Sequence, residues 1–345
     1  MIQYFGNNLK QHGYTPTAME LLIPHLKKKY VIGSSSSLKN PIFRMLDMVW
    51  FFFRHKKETR LVLIDTYSTW AFYYALVIAL LSNLFSKSYI PIVHGGNISK
   101  RIEKYPRFTN YLFRNSYINV SPSLYLYSIF QNNGFDVLYI PNFININQYP
   151  YLERKNITPK LLWVRSFHQI YNPIMAVQIL SKLKKIFSEA ELCMVGPFKD
   201  NSIYEVKKIA QELLITDNIQ ITGKLTKHEW IELSKSYNIF INTTNIDNQP
   251  LSLIESMALG LAIVSTNAGG IPNLLTHDKT GKLVNCSDVS GMVKEIVDYL
   301  TNEDKRLNIT QNARIQVEKN YSEINVIIKW YSLIDSILTI KRASF

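Results

Sequence analysis

The sequence is poor in cysteine and has no secretory signal at its start. Its 345 residues include two cysteines, Cys193 and Cys286, and both lie in apolar segments. Two such cysteines cannot form the disulfide framework of a small secreted domain, so we interpret them as packing residues in a reducing compartment. The start MIQYFGNN lacks the basic, apolar and small-residue regions of a signal peptide. We therefore expect the protein to be cytoplasmic and not exported.

The sequence also lacks an apolar run that is long enough to cross a bilayer. The longest run, from Trp70 to Phe85, is shorter than the roughly 20 residues that a spanning helix needs. It lies between two strand-like segments, so we interpret it as a buried crossover helix. The chain is 345 residues long and 47% hydrophobic, which is enough for two cores, so two domains are expected rather than one.

Acidic residues are scarce in the first half of the chain. Residues 1–150 contain 16 Lys and Arg against 6 Asp and Glu, whereas the remainder contains 23 against 20. This asymmetry indicates a negatively charged partner, which is an anionic membrane surface, a phosphate-bearing acceptor or nucleic acid; a solvated basic face is the alternative. Nucleic acid is not expected, because zinc-finger spacing, an RNP-like motif and a long arginine-rich tract are all missing. We therefore expect a peripheral position at the inner face of an anionic membrane.

Short β-branched and apolar runs alternate with longer amphipathic segments along the chain, which is typical of βαβ units and parallel sheets. Residues 141–160 break this alternation with three prolines and several asparagines, as a linker does. We predict an α/β protein with a first domain over residues 1–150, a second over residues 151–321 and a C-terminal helix over residues 322–345 that packs back across to the first. The predicted strands are Tyr30–Ser34, Leu61–Ile64, Tyr89–His94, Tyr117–Ser121, Val137–Ile140, Leu161–Val164, Leu192–Val195, Ile219–Thr222, Ile239–Asn242 and Ala262–Ser265.

The segment from Asp247 to Leu275 contains the most informative chemistry. Asp247 and Glu255 are separated by seven residues, and Pro250 between them marks the first turn of a predicted helix. Asp247 is therefore expected in the loop before this helix and Glu255 one turn inside it. Unpaired amides at a helix start suit a diphosphate, and nearby carboxylates accept hydrogen bonds from sugar hydroxyls. A helix cap with a solvated acid is the alternative interpretation.

The backbone of the same segment is predicted to contribute to binding. The amides of Leu251 and Ser252 open the predicted helix, and Gly269 and Gly270 form a turn after the next predicted strand. The missing side chains of the two glycines allow the backbone to approach a ligand closely. Ligands of doubly wound sheets bind at such strand ends, so these four residues are predicted to bind a diphosphate sugar, as the donor of a sugar.

Residues 247–275 resemble the donor motif of the retaining glycosyltransferases of family 4, which have the GT-B fold. That family shows an acid, seven residues, a glutamate, a small-residue helix, a strand and a Gly-Gly-hydrophobic-Pro turn. This chain has each part, with Asp247 where the family usually has glutamate. The resemblance implies two Rossmann-like domains that face each other across a cleft. It also implies that Asp247 contacts the donor sugar and that Glu255 binds the ribose of a UDP- or GDP-sugar.

Arg165 follows the predicted strand Leu161–Val164 and resembles the arginine that the family places against the donor diphosphate. There a guanidinium stabilises the charge of the leaving group. The family usually has a lysine a few residues later, but RSFHQIYNP has Tyr171 near that position, and Lys224 in ITGKL is predicted to substitute for it. An arginine paired with a local acid is the structural alternative.

Two residues of the first half complete the predicted site. His94 ends a predicted strand and precedes a glycine turn, and in the family a histidine there lies near the 6-hydroxyl of the donor sugar. His94 is therefore predicted to be catalytic together with Arg165 and Asp247, although a lone histidine is also a common structural residue. Gly13, in the sequence GYTP, resembles the first-domain glycine loop that approaches the donor phosphate and the acceptor.

The resemblance implies transfer with retention, in which the acceptor hydroxyl attacks from the face that the nucleotide leaves. The acceptor is expected to be a glycan or a lipid-linked sugar in the synthesis of a cell-surface polysaccharide. Because the sequence has no Asp-x-Asp pair and no His/Cys cluster, neither a metal nor another cofactor is expected. Two alternatives stay open: a nucleotide-sugar epimerase of similar architecture, which needs no acceptor, and a non-catalytic scaffold that binds a sugar nucleotide.

Overall fold

The computed structural model describes residues 1–9, 17–95 and 97–343, with side chains as far as Thr339. The chain divides into two compact units: unit 1, Met1–Asn142 with Ile324–Phe345, and unit 2, Phe143–Glu323. The break between them falls inside the segment predicted as a linker, but before residue 150 rather than after it. The end of the sequence groups with the first domain, because the last helix packs on residues of unit 1.

Unit 1 contains a six-stranded parallel sheet in the order β2-β1-β3-β4-β5-β6. Its strands are β1 (Ile2–Phe5), β2 (Ile32–Ser35), β3 (Leu61–Tyr67), β4 (Ser88–His94), β5 (Asn119–Ser121) and β6 (Val137–Tyr139). Its helices are α1 (Ala18–Leu26), α2 (Pro41–His55), α3 (Ala71–Leu84), α4 (Ile98–Lys104), α5 (Pro106–Arg114), α6 (Leu124–Asn132) and, from the far end of the sequence, α13 (Glu323–Ala343). The strand order reverses direction between β1 and β3, which makes this edge of the sheet the expected place for a ligand.

Strand β1 was not predicted, although it lies inside the sheet. It pairs with β2 on one side and with β3 on the other, and Tyr4 and Phe5 are fully buried. The polar Gln3 is also buried, and its Nε2 donates hydrogen bonds to the carbonyl oxygens of Phe51 and Phe52 at 3.3 Å. A four-residue run with a polar residue in it gives a weak strand signal, so tertiary pairing rather than local propensity decides this element.

The apolar run from Trp70 to Phe85 forms α3, with Phe72, Ile78 and Ala79 fully buried. The interpretation of this run as a buried crossover helix is therefore correct, because α3 connects the parallel strands β3 and β4. Among the helices of the described ranges, none is both long and apolar enough to cross a membrane.

Unit 2 contains a second six-stranded parallel sheet, in the order β12-β11-β10-β7-β8-β9. Its strands are β7 (Lys160–Val164), β8 (Glu191–Val195), β9 (Ile219–Gly223), β10 (Ile239–Asn242), β11 (Ala262–Thr266) and β12 (Lys282–Val284). Its helices are α7 (Pro173–Lys184), α8 (Ser202–Glu212), α9 (Lys227–Ser234), α10 (Leu251–Ala258), α11 (Val289–Thr301) and α12 (Glu303–Asn320).

The order of the second sheet has a direct consequence for the site. Counted from β7 and read from the β9 edge, the order is 3-2-1-4-5-6, which is that of dinucleotide-binding folds. The order reverses between β7 and β10, so the loops after these two strands form the natural binding crevice of the sheet. All ten predicted strands of the chain are present, whereas β12, a three-residue edge strand, was not predicted.

Candidate functional site

The loops after β7 and β10 bring Arg165 and Asp247 together. Arg165 is the first residue after β7, and Asp247 lies in the loop between β10 and α10. The Nη2 atom of Arg165 and the Oδ2 atom of Asp247 form an ion pair, and their side chains are 17% and 15% exposed. Two predicted site residues therefore meet at the point where the strand order reverses. The alternative of an arginine paired with a nearby acid is also realised, and the acid is itself a predicted site residue.

The guanidinium of Arg165 is held over an aromatic ring. It lies 4.7 Å from the ring centroid of Tyr171. Tyr171 is near the position where the family 4 glycosyltransferases usually have a lysine. Burial lowers the pKa of Arg165, while Tyr171 and then Glu255 act in the opposite direction; an arginine stays charged through such a shift. The Nε atom is buried and has no hydrogen-bond partner among the described residues. The guanidinium therefore retains unused donor capacity.

The helix that follows Asp247 begins without a side-chain cap. Pro250 was predicted in the first turn of this helix, but it is the N-cap of α10, and the helix begins at Leu251. The amides of Leu251 and Ser252 open this helix, where backbone donors lack intrahelical partners. The Ser252 Oγ and Asn248 Oδ1 atoms are buried and have no hydrogen-bond partner within the part of the chain that the structure describes. Unmatched polar atoms thus collect at the start of α10.

Glu255 lies inside α10 and is only 4% exposed. Its Oε1 atom accepts a hydrogen bond from the Tyr149 hydroxyl at 2.9 Å and contacts Lys227 Nζ as an ion pair. Burial first, and then Glu255 itself, raises the pKa of Tyr149, so the phenol keeps its proton and stays a donor. Neither Tyr149 nor Lys227 was predicted, although a capping box at Thr226 marks the helix that Lys227 begins.

Lys224, the predicted substitute for the missing lysine, lies directly after β9 and is exposed. Strand β9 is an edge strand and is separated from β7 by β8. Lys227, three residues further along the chain, contacts the predicted site residue Glu255. A role of Lys224 in donor binding stays a prediction.

The glycine turn after β11 holds the Asp247 loop. Gly269 has a φ of +56°, and a Cβ there would overlap the carbonyl oxygen of Asp247. The Gly270 amide donates a hydrogen bond to that same oxygen at 2.7 Å. The close backbone approach that was predicted for these glycines is therefore made to the protein itself. The two glycines fix the backbone of Asp247, and their contact with the donor stays a prediction.

A third glycine of the site was missed. Gly196 follows β8, and a Cβ at this position would overlap the carbonyl oxygen of Arg165. The Arg165 amide donates to the carbonyl oxygen of Val195 at 3.0 Å, so the two strand ends are tied together. The sequence signal was available, because Gly196 follows a buried strand in the same way as the glycines after β11 follow theirs.

In unit 1, His94 ends β4 and contacts a buried acid. Its Nε2 atom lies 2.9 Å from Asp65 Oδ1, which also accepts a hydrogen bond from the Tyr4 hydroxyl at 3.0 Å. The Tyr67 ring stacks on the imidazole with centroids 5.0 Å apart. These residues stand on β1, β3 and β4, which are neighbours in the sheet, so their carboxyl ends meet at one edge.

Asp65 is the main residue of unit 1 that the sequence analysis missed. Its side chain is fully buried, and its Oδ2 atom has no hydrogen-bond partner within the described ranges. Burial, with Asp65 as the next cause, raises the pKa of both Tyr4 and Tyr67, so both phenols keep their protons. An acid at the end of the apolar run LVLI was a readable signal. Gly13, the remaining predicted residue, lies outside the described residues.

One cluster of the described residues has the spacing of a metal site, namely His277, Asp278 and Glu295. Lys282, which is 1% exposed, forms ion pairs with Asp278 at 3.1 Å and with Glu295 and Asp298 at 2.5 Å. A buried ammonium already balances these carboxylates, so the cluster is an ion-pair network that packs β12 against α11. The expectation that the protein needs no metal stays a prediction.

Residues 152–316 match the family model described as "Glycosyl transferases group 1". Among curated proteins, the chain is 22% identical to N-acetyl-alpha-D-glucosaminyl L-malate synthase of Bacillus anthracis over 52% of this chain and 45% of that protein. It is 26% identical to the capsular polysaccharide biosynthesis glycosyltransferase CapM of Staphylococcus aureus over 42% of this chain and 38% of that protein. The chain thus aligns with less than half the length of these relatives.

Two solved structures share the fold over nearly the whole chain. HepE of Anabaena in complex with UDP superimposes with a TM-score of 0.79 at 14% identity, over 97% of this chain and 99% of that one. Sucrose-phosphate synthase of Thermosynechococcus elongatus superimposes with a TM-score of 0.81 at 13% identity, over 98% and 99%. The expected α/β architecture of the GT-B type, with two Rossmann-like domains, is confirmed.

Proposed function

We propose that this chain, whose residues 152–316 match the glycosyl transferases group 1 family, moves a sugar with retention from a nucleoside-diphosphate sugar to an acceptor hydroxyl. The match of residues 152–316 to that family supports glycosyl transfer; the activity, the donor, the stereochemistry and the acceptor together are the proposal. The observation that carries it is the Arg165–Asp247 pair beside the uncapped start of α10. A mostly buried cation with an unused donor, next to free helix amides, suits a diphosphate.

Binding of the donor exchanges the partners of Arg165. The diphosphate oxygens take the place of Asp247 at the guanidinium, and the amides of Leu251 and Ser252 donate to the same anion. Asp247 is then free to accept hydrogen bonds from hydroxyls of the donor sugar. Gly270 keeps the Asp247 backbone in place during this exchange, because its amide holds the Asp247 carbonyl and not the side chain.

Glu255 serves the ribose. Tyr149 and Lys227 both contact Oε1, and Oε2 forms no hydrogen bond with the residues that the structure describes. A carboxylate has about four lone-pair sites, so Oε2 can accept hydrogen bonds from the two ribose hydroxyls. UDP is the first nucleotide to test, because the solved structure of Anabaena HepE contains it; GDP is the second.

The residues of this chain stabilise charge and orient groups. As the bond between the anomeric carbon and the phosphate oxygen breaks, negative charge grows on the diphosphate, and Arg165 with the α10 amides stabilises it. The acceptor hydroxyl attacks from the same face and passes its proton to the departing phosphate oxygen. When His94 donates from Nε2 to Asp65, Nδ1 is left as an acceptor, which suits a sugar hydroxyl.

The acceptor that we propose is a glycan or lipid-linked sugar in the synthesis of a cell-surface polysaccharide. Support comes from relatives, since CapM of Staphylococcus aureus is described as a capsular polysaccharide biosynthesis glycosyltransferase. The excess of basic residues in the first half of the chain supports an acceptor with a phosphate. It supports an anionic membrane as the place of reaction equally well.

Two measurements on the full chain test the proposed function. A thermal-shift screen of UDP, GDP and other nucleotides should show a higher melting temperature with one of them, because a ligand of the folded state stabilises it. Consumption of radiolabelled donor should then require a membrane extract that contains acceptor, and the anomeric configuration of the product should equal that of the donor. Conversion of the donor without acceptor would indicate an epimerase, and binding without any turnover would indicate a scaffold.

A further inference from the structure

The outward face of α2 is apolar. This helix of 15 residues buries Arg44, Met48 and Phe52 against unit 1. The side chains on its other side, which we call the α2 apolar face, are all large and well exposed: Ile42 at 71%, Phe43 at 60%, Leu46 at 58%, Trp50 at 56% and Phe53 at 41%. A surface helix normally presents polar residues to water, so this face lacks the partner that its composition calls for.

Cations outnumber acids around this face. Asp47 is the only acid of α2, and its Oδ2 atom accepts a hydrogen bond from Ser35 Oγ at 2.7 Å. Arg54 lies over the Trp50 ring at 5.0 Å. Lys56 follows the helix end and lies 5.1 Å from the Phe53 ring, so cations border the apolar side chains. An apolar stripe with basic neighbours is the pattern of a helix that lies in a lipid–water interface.

A groove beside the helix continues the same surface. It has a volume of about 430 Å³ and is lined by the apolar Leu38, Phe43, Leu46 and Trp50 and by the polar Lys39, Asn40 and Asp47. Hydrocarbon fits such a lining better than water does, and the Lys39 ammonium suits a phosphate at the rim.

We propose that the α2 apolar face inserts into the interfacial layer of an anionic lipid bilayer, with α2 lying parallel to the membrane surface. At about 1.5 Å per residue the helix is about 22 Å long and too short to span a membrane. A second copy of this chain is disfavoured, because it would bring together two first halves that each carry 16 basic against 6 acidic residues. A bilayer that contains anionic lipids offers the opposite charge and an apolar layer together.

Flotation of the full chain with vesicles tests this proposal. We expect the protein to float with vesicles that contain 30% phosphatidylglycerol in phosphatidylcholine and not with pure phosphatidylcholine. Ile42→Glu should lower the bound fraction by at least about tenfold at every salt concentration, because a charge enters the acyl boundary. The matched control is Ile324→Glu on α13, since Ile324 is also 71% exposed in unit 1; it should bind as the unchanged chain does.

The charge contribution is tested separately. The double variant Lys56→Gln/Lys57→Gln should weaken binding at low salt and reduce its salt dependence, because each cation near an anionic surface adds attraction. Lys207→Gln/Lys208→Gln on α8 of unit 2 is the matched control, as both lysines are exposed there. Equal loss in both pairs would show a general charge effect and overturn the assignment to α2.

The other outcomes are equally decisive. If the unchanged chain binds neutral and anionic vesicles alike, or binds neither, the proposal is wrong. If light scattering shows a dimer that Ile42→Glu abolishes, the face is an interface between two copies. Nucleotide binding and circular dichroism of Ile42→Glu should be unchanged, which shows that the variant folds. The test does not depend on turnover, so it can fail while the proposed transferase activity stands.

Discussion

The two units place their candidate residues at the carboxyl ends of neighbouring parallel strands, but they hold them in different ways. In unit 2, Arg165 and Asp247 neutralise each other, and glycine backbones fix both loops. In unit 1, Asp65 accepts hydrogen bonds from Tyr4 and His94 beneath a stacked Tyr67 ring. The first arrangement suits an anion that displaces an internal acid, whereas the second suits uncharged hydroxyls. Two sheets of the same parallel geometry thus carry chemically different groups at the ends of their strands.

The largest expected effect separates the two units by nucleotide binding. Arg165→Ala should lower turnover about a hundredfold, or about 2.7 kcal/mol, and should weaken UDP binding, because the diphosphate loses its main cation. His94→Ala should lower turnover but leave UDP binding unchanged, since His94 stands in the unit that the family model does not match. Calorimetric titration with UDP checks this. Equal loss of UDP binding in both variants would contradict the division of roles.

Glu255→Ala belongs to the same comparison with a smaller effect. We expect a loss of turnover of at least about tenfold, or about 1.4 kcal/mol, because the ribose loses its acceptor. Glu255→Gln keeps the shape and one carbonyl acceptor, so it should lose less. Turnover assays with a saturating acceptor distinguish the two variants, and unchanged activity in Arg165→Ala and Glu255→Ala would reject the site.

Stability should differ between the units in its dependence on ion pairs. Lys282→Met in unit 2 should lower the free energy of unfolding by about 2 kcal/mol, because the partly buried Glu295 loses the ammonium that pairs with it and Asp298 keeps only Lys305. Lys29→Met in unit 1 should lower it by less than about 1 kcal/mol, because the pair with Asp335 is almost half exposed on both sides. Urea titrations of both variants measure the contrast. An equal loss of unfolding free energy in the two variants would contradict the expected difference between the units.

The same network predicts a pH dependence. The hydrogen bond from Lys282 lowers the pKa of Asp298 in the folded state, more than burial raises it. A carboxyl with a lowered folded pKa stabilises the protein above its unfolded pKa, about 3.9, and that contribution is lost as the pH falls through the lower folded value. Below about pH 4, the free energy of unfolding of the unchanged chain should therefore fall by more than that of Lys282→Met.

The two units are also expected to differ in the loss of unfolding free energy when a tightly packed glycine is replaced by alanine. Gly269→Ala should lower the free energy of unfolding by about 1–2 kcal/mol and weaken nucleotide binding, because its Cβ meets the Asp247 backbone at a positive φ. A Cβ at Gly6 in unit 1 meets only side-chain ends, Asp65 Oδ2 at 2.6 Å and Met19 Sδ at 2.7 Å, so Gly6→Ala should cost less. Thermal unfolding with and without UDP measures both. A larger loss in Gly6→Ala would refute the contrast.

The smallest expected effect concerns Asp65. Asp65→Asn keeps the shape but removes the charge that orients His94, and we expect turnover to fall about fivefold, or about 1 kcal/mol. UDP binding should stay the same, because the change lies in unit 1. Turnover that stays at the original level would show that Asp65 has only a packing role.

The candidate site residues that lie in one continuous segment could be predicted from the sequence. Asp247, Pro250, Glu255 and the glycine turn lie in one stretch of loop, helix, strand and turn, so their order along the chain indicated the site. Tyr149 could not be found in this way, because 106 residues separate it from Glu255 and only the fold brings them together. Asp65 and Gly196 had local signals of the same kind as the residues that were predicted. They were missed because they lie outside the motif that carried the resemblance.

Strand β1 shows the same limit in the fold. Its pattern is weak, and it exists because β2 and β3 offer hydrogen bonds on both sides. The linker was predicted from composition, but the position of the break between the units, after Asn142, was not, because composition changes gradually where packing changes abruptly. Local patterns therefore found the long elements and the contiguous motif, whereas partners that are distant in sequence required the structure.

Unit 1 is built from two stretches of sequence, because α13 packs on it through Tyr331, which donates to the carbonyl oxygen of His25, and Asp335, which accepts from Tyr30. During synthesis on the ribosome, every residue of unit 2 emerges before these contacts can form. Unit 2 is continuous and can fold as it leaves the exit tunnel, since domains generally fold as units during translation. Unit 1 is therefore complete only after α13 has been made, although most of its residues are synthesised before those of unit 2.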